Sequence, residues 1–243
     1  MPLLETVGLT KSFGSLVAVD GLDFSLAEGE IRAVIGPNGA GKTVFLHLLS
    51  GLLAPTRGRI ALDGADVTRL GIVDRVRRGV TRSFQITNLF PNLTVAENVR
   101  LAAQTTRRGP RLDDRVGELL ELVGLGGASR LYPPQLAHGD QRHLEIALAL
   151  APGPRLLLLD EPTAGMSLGE TGRTTALIRQ INREAGVTIV IVEHDMRLIL
   201  ELAERITVLD RGRVLAEGAP RDVADDPRVR EAYLGRGRHA AGR

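Results

Sequence analysis

The sequence predicts an α/β protein built on a parallel sheet, and three observations carry that prediction. An apolar run, residues 31–35, leads into Gly36-Pro37-Asn38-Gly39-Ala40-Gly41-Lys42-Thr43 and then into Val44-Phe45-Leu46-His47-Leu48-Leu49, an order that reads strand, glycine loop, helix. Two later runs, 156–159 and 187–192, are apolar but for Thr188, as strands buried on both faces are. Helix-forming stretches separate these runs, which is how chains that wind a parallel sheet alternate.

The glycine loop fits the pattern G-x-x-x-x-G-K-[ST] at every fixed position. Glycines let backbone N–H groups turn inward and approach an anion closely, and the following helix adds the positive end of its dipole. In that setting Lys42 supplies a point charge for the β- and γ-phosphates of a nucleotide, and the Thr43 hydroxyl supplies a ligand for Mg²⁺.

Bulk composition narrows the function classes. A chain of 243 residues, 43% hydrophobic and 25% charged, is long enough for one large α/β domain with an insertion. Net charge is only +2, aromatics are 3% and tryptophan is absent, which argues against a base-stacking nucleic-acid surface. With no cysteine there is no disulfide, thiolate metal site or thiol nucleophile. No secretory signal is evident at Met1-Pro2-Leu3-Leu4-Glu5, and no apolar stretch approaches the roughly 18 residues that span a bilayer. The chain is therefore expected to be soluble and cytosolic, with any membrane role peripheral.

In chain order, 3–7, 17–19, 22–26 and 31–35 read as short strands punctuated by Gly14, Gly21 and Glu28-Gly29. Residues 59–62 form another strand, ending in the Asp63-Gly64 turn. From 88 to 151 the character is helical. Thr94-Val95-Ala96-Glu97 is a capping box, Val116, Leu119, Leu120 and Val123 form an apolar stripe, and 140–150 has the same character. The expected organisation is a core from 1–87 and 152–243 with a helical insertion at 88–151. After 156–159, Ser167 caps a helix to about Glu184, another strand and helix follow, and Arg211-Gly212 turns a hairpin. The end, 235–243, is Gly/Arg-rich and reads as a solvated tail.

The second chemical motif is Asp160-Glu161-Pro162 at the end of the first buried run. Asp160 is suited to hold Mg²⁺ through water, and Glu161 to orient or deprotonate an attacking water. With these motifs in place the chain resembles, over essentially its whole length, the nucleotide-binding subunit of an ATP-binding-cassette (ABC) transporter. Gln85 in Ser83-Phe84-Gln85 falls at the family glutamine that contacts Mg²⁺ and water and senses the permease. Leu136-Ala137-His138-Gly139-Asp140-Gln141-Arg142 falls at the signature, Ala164-Gly165-Met166-Ser167 at the loop touching the partner subunit, and His194 at the switch histidine. Phe13 falls at the aromatic that stacks on adenine. The resemblance implies a P-loop NTPase (RecA-like) core with an N-terminal antiparallel β-subdomain and an inserted helical subdomain, using ATP and Mg²⁺.

Four positions depart from the family pattern. Ala137 replaces the signature serine and His138 a signature glycine, while Gly139 remains. Val44 stands where many members carry a second hydroxyl near the α-phosphate. Ser167 replaces an acidic or amide residue. The loss of a side-chain donor at Ala137 is expected to weaken that contact by about 1 kcal/mol or more. Within the family, Ala137, Arg142-His143-Leu144-Glu145-Ile146-Ala147, Glu193-His194-Asp195-Met196 and the ending from Glu217-Gly218-Ala219-Pro220 to Leu234-Gly235 resemble the ATPase subunits of branched-chain amino-acid importers. Urea and amide importers share much of this pattern. A non-transport ABC ATPase acting in soluble assembly is the other alternative.

The implied assembly is a head-to-tail pair of ATPase subunits enclosing two ATP molecules. In each half, 36–43 comes from one subunit and 136–141 from the other. A heterodimer is favoured over a homodimer. Transmembrane permease subunits at the inner-membrane face and, indirectly, an external solute-binding protein complete the expected partners.

Overall fold

The computed structural model describes residues 1–83, 89–106 and 111–234, so Gln85 and the terminal tail lie outside the described residues. The chain opens with β1 (Leu4–Phe13), β2 (Leu16–Leu26), β3 (Ile31–Ile35), α1 (Lys42–Ser50), β4 (Arg57–Leu62) and β5 (Ala65–Asp66). There follow α2 (Ile72–Arg77), β6 (Val80–Arg82), α3 (Val95–Ala103), α4 (Arg111–Leu122), α5 (His138–Leu150) and β7 (Leu156–Asp160). The last segments are α6 (Leu168–Ala185), β8 (Thr188–Val192), α7 (Met196–Leu202), β9 (Arg205–Asp210), β10 (Arg213–Gly218), α8 (Pro220–Asp225) and α9 (Pro227–Leu234). Two compact units result, one comprising Met1–Ile72 together with the chain from Thr188 onward, the other Val73–Val187.

The first unit holds an antiparallel sheet, β2-β1-β4-β5, and the strands β10-β9-β3-β8. Where the sequence pattern marks three short strands in 3–26, the structure has two long ones of ten and eleven residues. Their pairing slips between Thr6 and Leu9, between Leu9 and Lys11, and between Lys11 and Ser12. Gly8 and Gly21 sit inside the strands at positive φ, so Gly21, which reads as a break in the sequence, acts as a bulge instead. β3 is wholly buried and pairs in parallel with both β8 and β9, Val34 lying opposite Val192 and Thr207. The Asp63-Gly64 and Arg211-Gly212 turns each place two successive residues at positive φ, the geometry that matches strand twist in a tight hairpin.

A buried arginine ties this unit together. Arg32, 2% exposed, donates to Glu30 Oε1 at 2.5 Å, Thr207 Oγ1 at 3.0 Å and the Ser25 carbonyl at 3.0 Å, and lies 3.1 Å from Glu217 Oε2. Its guanidinium also sits 5.0 Å from the centre of the Phe24 ring. β2, β3, β9 and β10 thus share one cation.

In the second unit β6 and β7 pair in parallel, Val80 opposite Leu156, and β7 is buried throughout. The stretch expected to be a helical insertion contains α3, α4 and α5. Thr94 and Glu97 form the expected capping box at α3, and Ser167 and Glu170 form one at α6. Val116, Leu119, Leu120 and Val123 are buried as the stripe requires. The sequence pattern marks neither α2 nor β6, whose six and three residues are too few for periodicity to register.

Candidate functional site

The glycine loop is built where β3 runs out. Gly36 has φ 152°, and a Cβ there would lie 2.1 Å from the Leu209 carbonyl oxygen of β9. Gly41, the N-cap of α1 at φ 101°, has the Ala18 carbonyl oxygen of β2 2.4 Å from where a Cβ would stand. Only glycine fits either position, because backbone from two neighbouring strands closes on the loop. Lys42 is buried, and its Nζ donates to the Gly36 carbonyl at 2.7 Å and the Pro37 carbonyl at 3.2 Å. The ammonium is thereby held inside the curl of the loop. Among the described residues no hydrogen bond engages the N–H groups of Gly39, Gly41 or Thr43. Donors of this kind at a helix start suit a phosphate chain.

His194 follows β8, the strand parallel to β3, so the loop and the histidine lie at the same end of adjacent strands. Its side chain is exposed, while the preceding Glu193 is buried and accepts from the His194 N–H at 3.0 Å. Phe13 ends β1 with 46% exposure, and Lys11 Nζ stands 5.1 Å from its ring centre. Leu16 and Val17, 65% and 42% exposed, extend that apolar tip. The structure leaves these three side chains open to a flat apolar ring.

In the other unit Asp160 ends β7 and is buried, with its Oδ2 accepting from Arg82 Nη2 at 2.7 Å. Burial lowers the Arg82 pKa, and the Asp160 charge opposes that shift. Glu161 comes next at φ 48°, a left-handed conformation that is uncommon for glutamate. Strain of that kind concentrates where a side chain must be aimed. Thr43 in the first unit and Asp160 in the second each carry a hard oxygen donor of the kind Mg²⁺ accepts.

α5 begins at the signature segment. Ala137 is its N-cap with φ −61° and ψ 157°, and makes no side-chain cap. The adjoining Gly139 faces the Glu170 side chain of α6, whose carboxyl is pulled below the usual range chiefly by the Ser167 hydroxyl and then by the Ser167 backbone. A Cβ on Gly139 would come 2.8 Å from Glu170 Oε1. We expect Ala137→Ser to cap the Asp140 N–H and stabilise the fold by about 1 kcal/mol, raising Tm by roughly 2–4 °C. A melting curve checks this, and ATP turnover of the same variant shows whether the restored hydroxyl also raises the rate.

One turn further on, His143 is buried between the Val123 carbonyl at 3.2 Å from Nδ1 and Thr174 Oγ1 at 3.1 Å from Nε2. A carbonyl only accepts, so Nδ1 carries the proton and Nε2 accepts from the threonine. Burial lowers its pKa. The folded state therefore binds this proton less readily than the unfolded chain. Its contribution is complete above the unfolded imidazole value of about 6.5 and is lost as pH falls below that. The urea midpoint should drop between pH 7.5 and pH 5.5, and drop less in His143→Gln.

The sequence pattern does not mark Arg82, the partner of Asp160, nor the contact from Glu170 to Gly139. Glu170 was legible only as the far end of a capping box.

Residues 19–164 match the ABC transporter family model. The chain belongs to the ABC transporter family. Residues 213–239 of this ABC ATPase further match the model for branched-chain amino acid ATP-binding cassette transporters. It is 38% identical, over 96% of its length and 98% of the relative's, to the high-affinity branched-chain amino acid transport ATP-binding protein BraF of Pseudomonas aeruginosa. Identity to LivG of Escherichia coli K12, similarly named, is 37% over the same shares. A methionine import ATP-binding protein, MetN 2 of Rhodococcus jostii, is 41% identical over 94% of this chain and 69% of its own.

Among solved structures, a nucleotide-free ATP-binding cassette from an ABC transporter superposes with TM-score 0.87 at 26% identity, covering 96% of this chain and 99% of that one. Another cassette, solved as a dimer in a post-hydrolysis state with ADP and Pi, gives 0.79 at 30% identity over 89% and 98%. No helix among the described residues of this ABC ATPase is long and apolar enough to cross a membrane.

Proposed function

We propose that this chain is the ATP-hydrolysing subunit of an importer for branched-chain amino acids, bound to permease subunits at the cytoplasmic face of the membrane. The observation that carries the choice of substrate is the match over 213–239. Overall identity does not separate substrates, since the methionine-import relative is as similar as the branched-chain ones.

In the proposed mechanism the N–H groups of Gly39, Gly41 and Thr43 and the Lys42 side chain bind the phosphates, and Phe13 stacks on the adenine. The remaining loop residues, Pro37, Asn38 and Ala40, shape the turn, and Val44 in the first turn of α1 stands toward the α-phosphate. Thr43 and Asp160, with Gln85, would hold Mg²⁺, which would supply positive charge against the phosphates. Arg82 keeps the Asp160 carboxylate in one orientation. Glu161 accepts the proton of the attacking water, and His194 donates to the γ-phosphate and steadies Glu161. Ala137, His138 and Gly139 of one subunit face the nucleotide held by the other. ATP favours the closed pair because it touches both subunits there, and loss of the γ-phosphate removes that differential affinity. The companion ATPase is a different chain in the assembled transporter.

Affinity capture of the tagged chain from its native membranes tests the assignment. Recovery of permease subunits and a second ATPase is the expected result. Recovery with soluble assembly proteins alone contradicts it.

A further inference from the structure

The signature segment departs from its family at Ala137 and His138, and the structure places His138 in an unusual contact. His138 is the first residue of α5 and is exposed. Its Nε2 lies 3.5 Å from the Ala164 carbonyl oxygen, in the loop between β7 and α6, and a Cβ on the next residue, Gly165, would lie at the same 3.5 Å. A carbonyl offers no proton, so Nε2 must carry one. Among the described residues Nδ1 makes no hydrogen bond. In the neutral ring Nδ1 is then an acceptor, and it becomes a donor only in the imidazolium.

We propose that His138 takes the place of the missing signature hydroxyl, meeting the terminal phosphate of the nucleotide on the opposite subunit through Nδ1–H, so that closure of the pair takes up a proton. The proposal rests on the reading above that 136–141 faces that nucleotide. Neither Ala137 nor Gly139 offers a side-chain donor. An anion can therefore recruit a side-chain donor here only by protonating the ring. The Ala164 contact fixes the ring from its far side, through the loop expected to touch the partner. The charged groups on the packed segments are Asp140 and Arg142 of α5, Glu161 at the end of β7, and Glu170 and Arg173 of α6. They are present in both the open and the closed pair. The arriving phosphate is the charge that differs, and it favours the imidazolium.

The sign follows from linkage. If the closed state binds one more proton per contact, closure strengthens as pH falls through the range in which imidazole titrates. The test uses the full chain carrying Glu161→Gln, together with its companion ATPase where one co-purifies, and measures MgATP-driven association by sedimentation at pH 8, 7 and 6. The nucleotide's own terminal phosphate titrates in the same range in every variant, so the difference between slopes is the reading. Association should strengthen about tenfold more from pH 8 to pH 6 with His138 than with His138→Gln. Glutamine keeps a donor for the Ala164 carbonyl but does not titrate. Adding Ala137→Ser to His138→Gln should restore association at pH 8 without restoring the slope, which also shows that the variant is folded. Equal slopes for His138 and His138→Gln overturn the proposal and leave the ATPase reading intact. Failure of the Glu161→Gln protein to associate with MgATP at any pH overturns both.

Discussion

Glu161→Gln should slow ATP turnover by about 10²–10⁴-fold while leaving nucleotide binding close to native. The side chain follows the buried end of β7 at φ 48°, so its carboxylate is aimed by the backbone rather than by a flexible tether. Glutamine has nearly the same shape and can still accept from a water, but it cannot take the proton. The substitution removes one step and leaves the phosphate loop, which is built from other residues, undisturbed. Closure by MgATP should then persist, because the event that reverses it no longer occurs. ATP hydrolysis and nucleotide affinity measured on the same preparation check this. Native turnover in the variant would remove Glu161 from the role of base.

Arg32→Met should destabilise the fold by about 3–5 kcal/mol. Arg32 is the shared counter-charge of Glu30 and Glu217, and Glu30 is itself only 6% exposed. Methionine matches the length of the stem but leaves that carboxylate buried without its cation. The cost is dominated by the stranded acid more than by the lost contacts. The double variant Glu30→Gln/Arg32→Met should therefore recover part of the loss, a coupling visible in a double-mutant cycle. Urea unfolding of the four proteins measures it. A change below about 1 kcal/mol in Arg32→Met would show that solvent reaches Glu30 when the arginine is gone.

Much of this was legible in the sequence because its signals are local. The strand, loop and helix around Gly36 to Leu49 form one continuous run, and the capping boxes at Thr94 and Ser167 each span four residues. The Asp63-Gly64 and Arg211-Gly212 turns likewise need only a dipeptide. Gly21 misled because a bulge tolerates a glycine inside a strand, and only the paired strand shows which case applies. What the sequence hid are long-range pairings of polar groups. Arg82 meets Asp160 across 78 residues, Arg32 meets Thr207 across 175, and His138 meets Ala164 across 26. Nothing in the spacing of those residues marks them, since the fold alone brings them together.

The central claim is that this chain drives import of branched-chain amino acids with ATP. It is tested most directly by reconstituting the chain with its co-purified permease and companion ATPase in proteoliposomes and following labelled leucine. Leucine should accumulate only with MgATP and the external binding protein, and not with Glu161→Gln. Uptake of methionine or urea in place of leucine under the same conditions would contradict it.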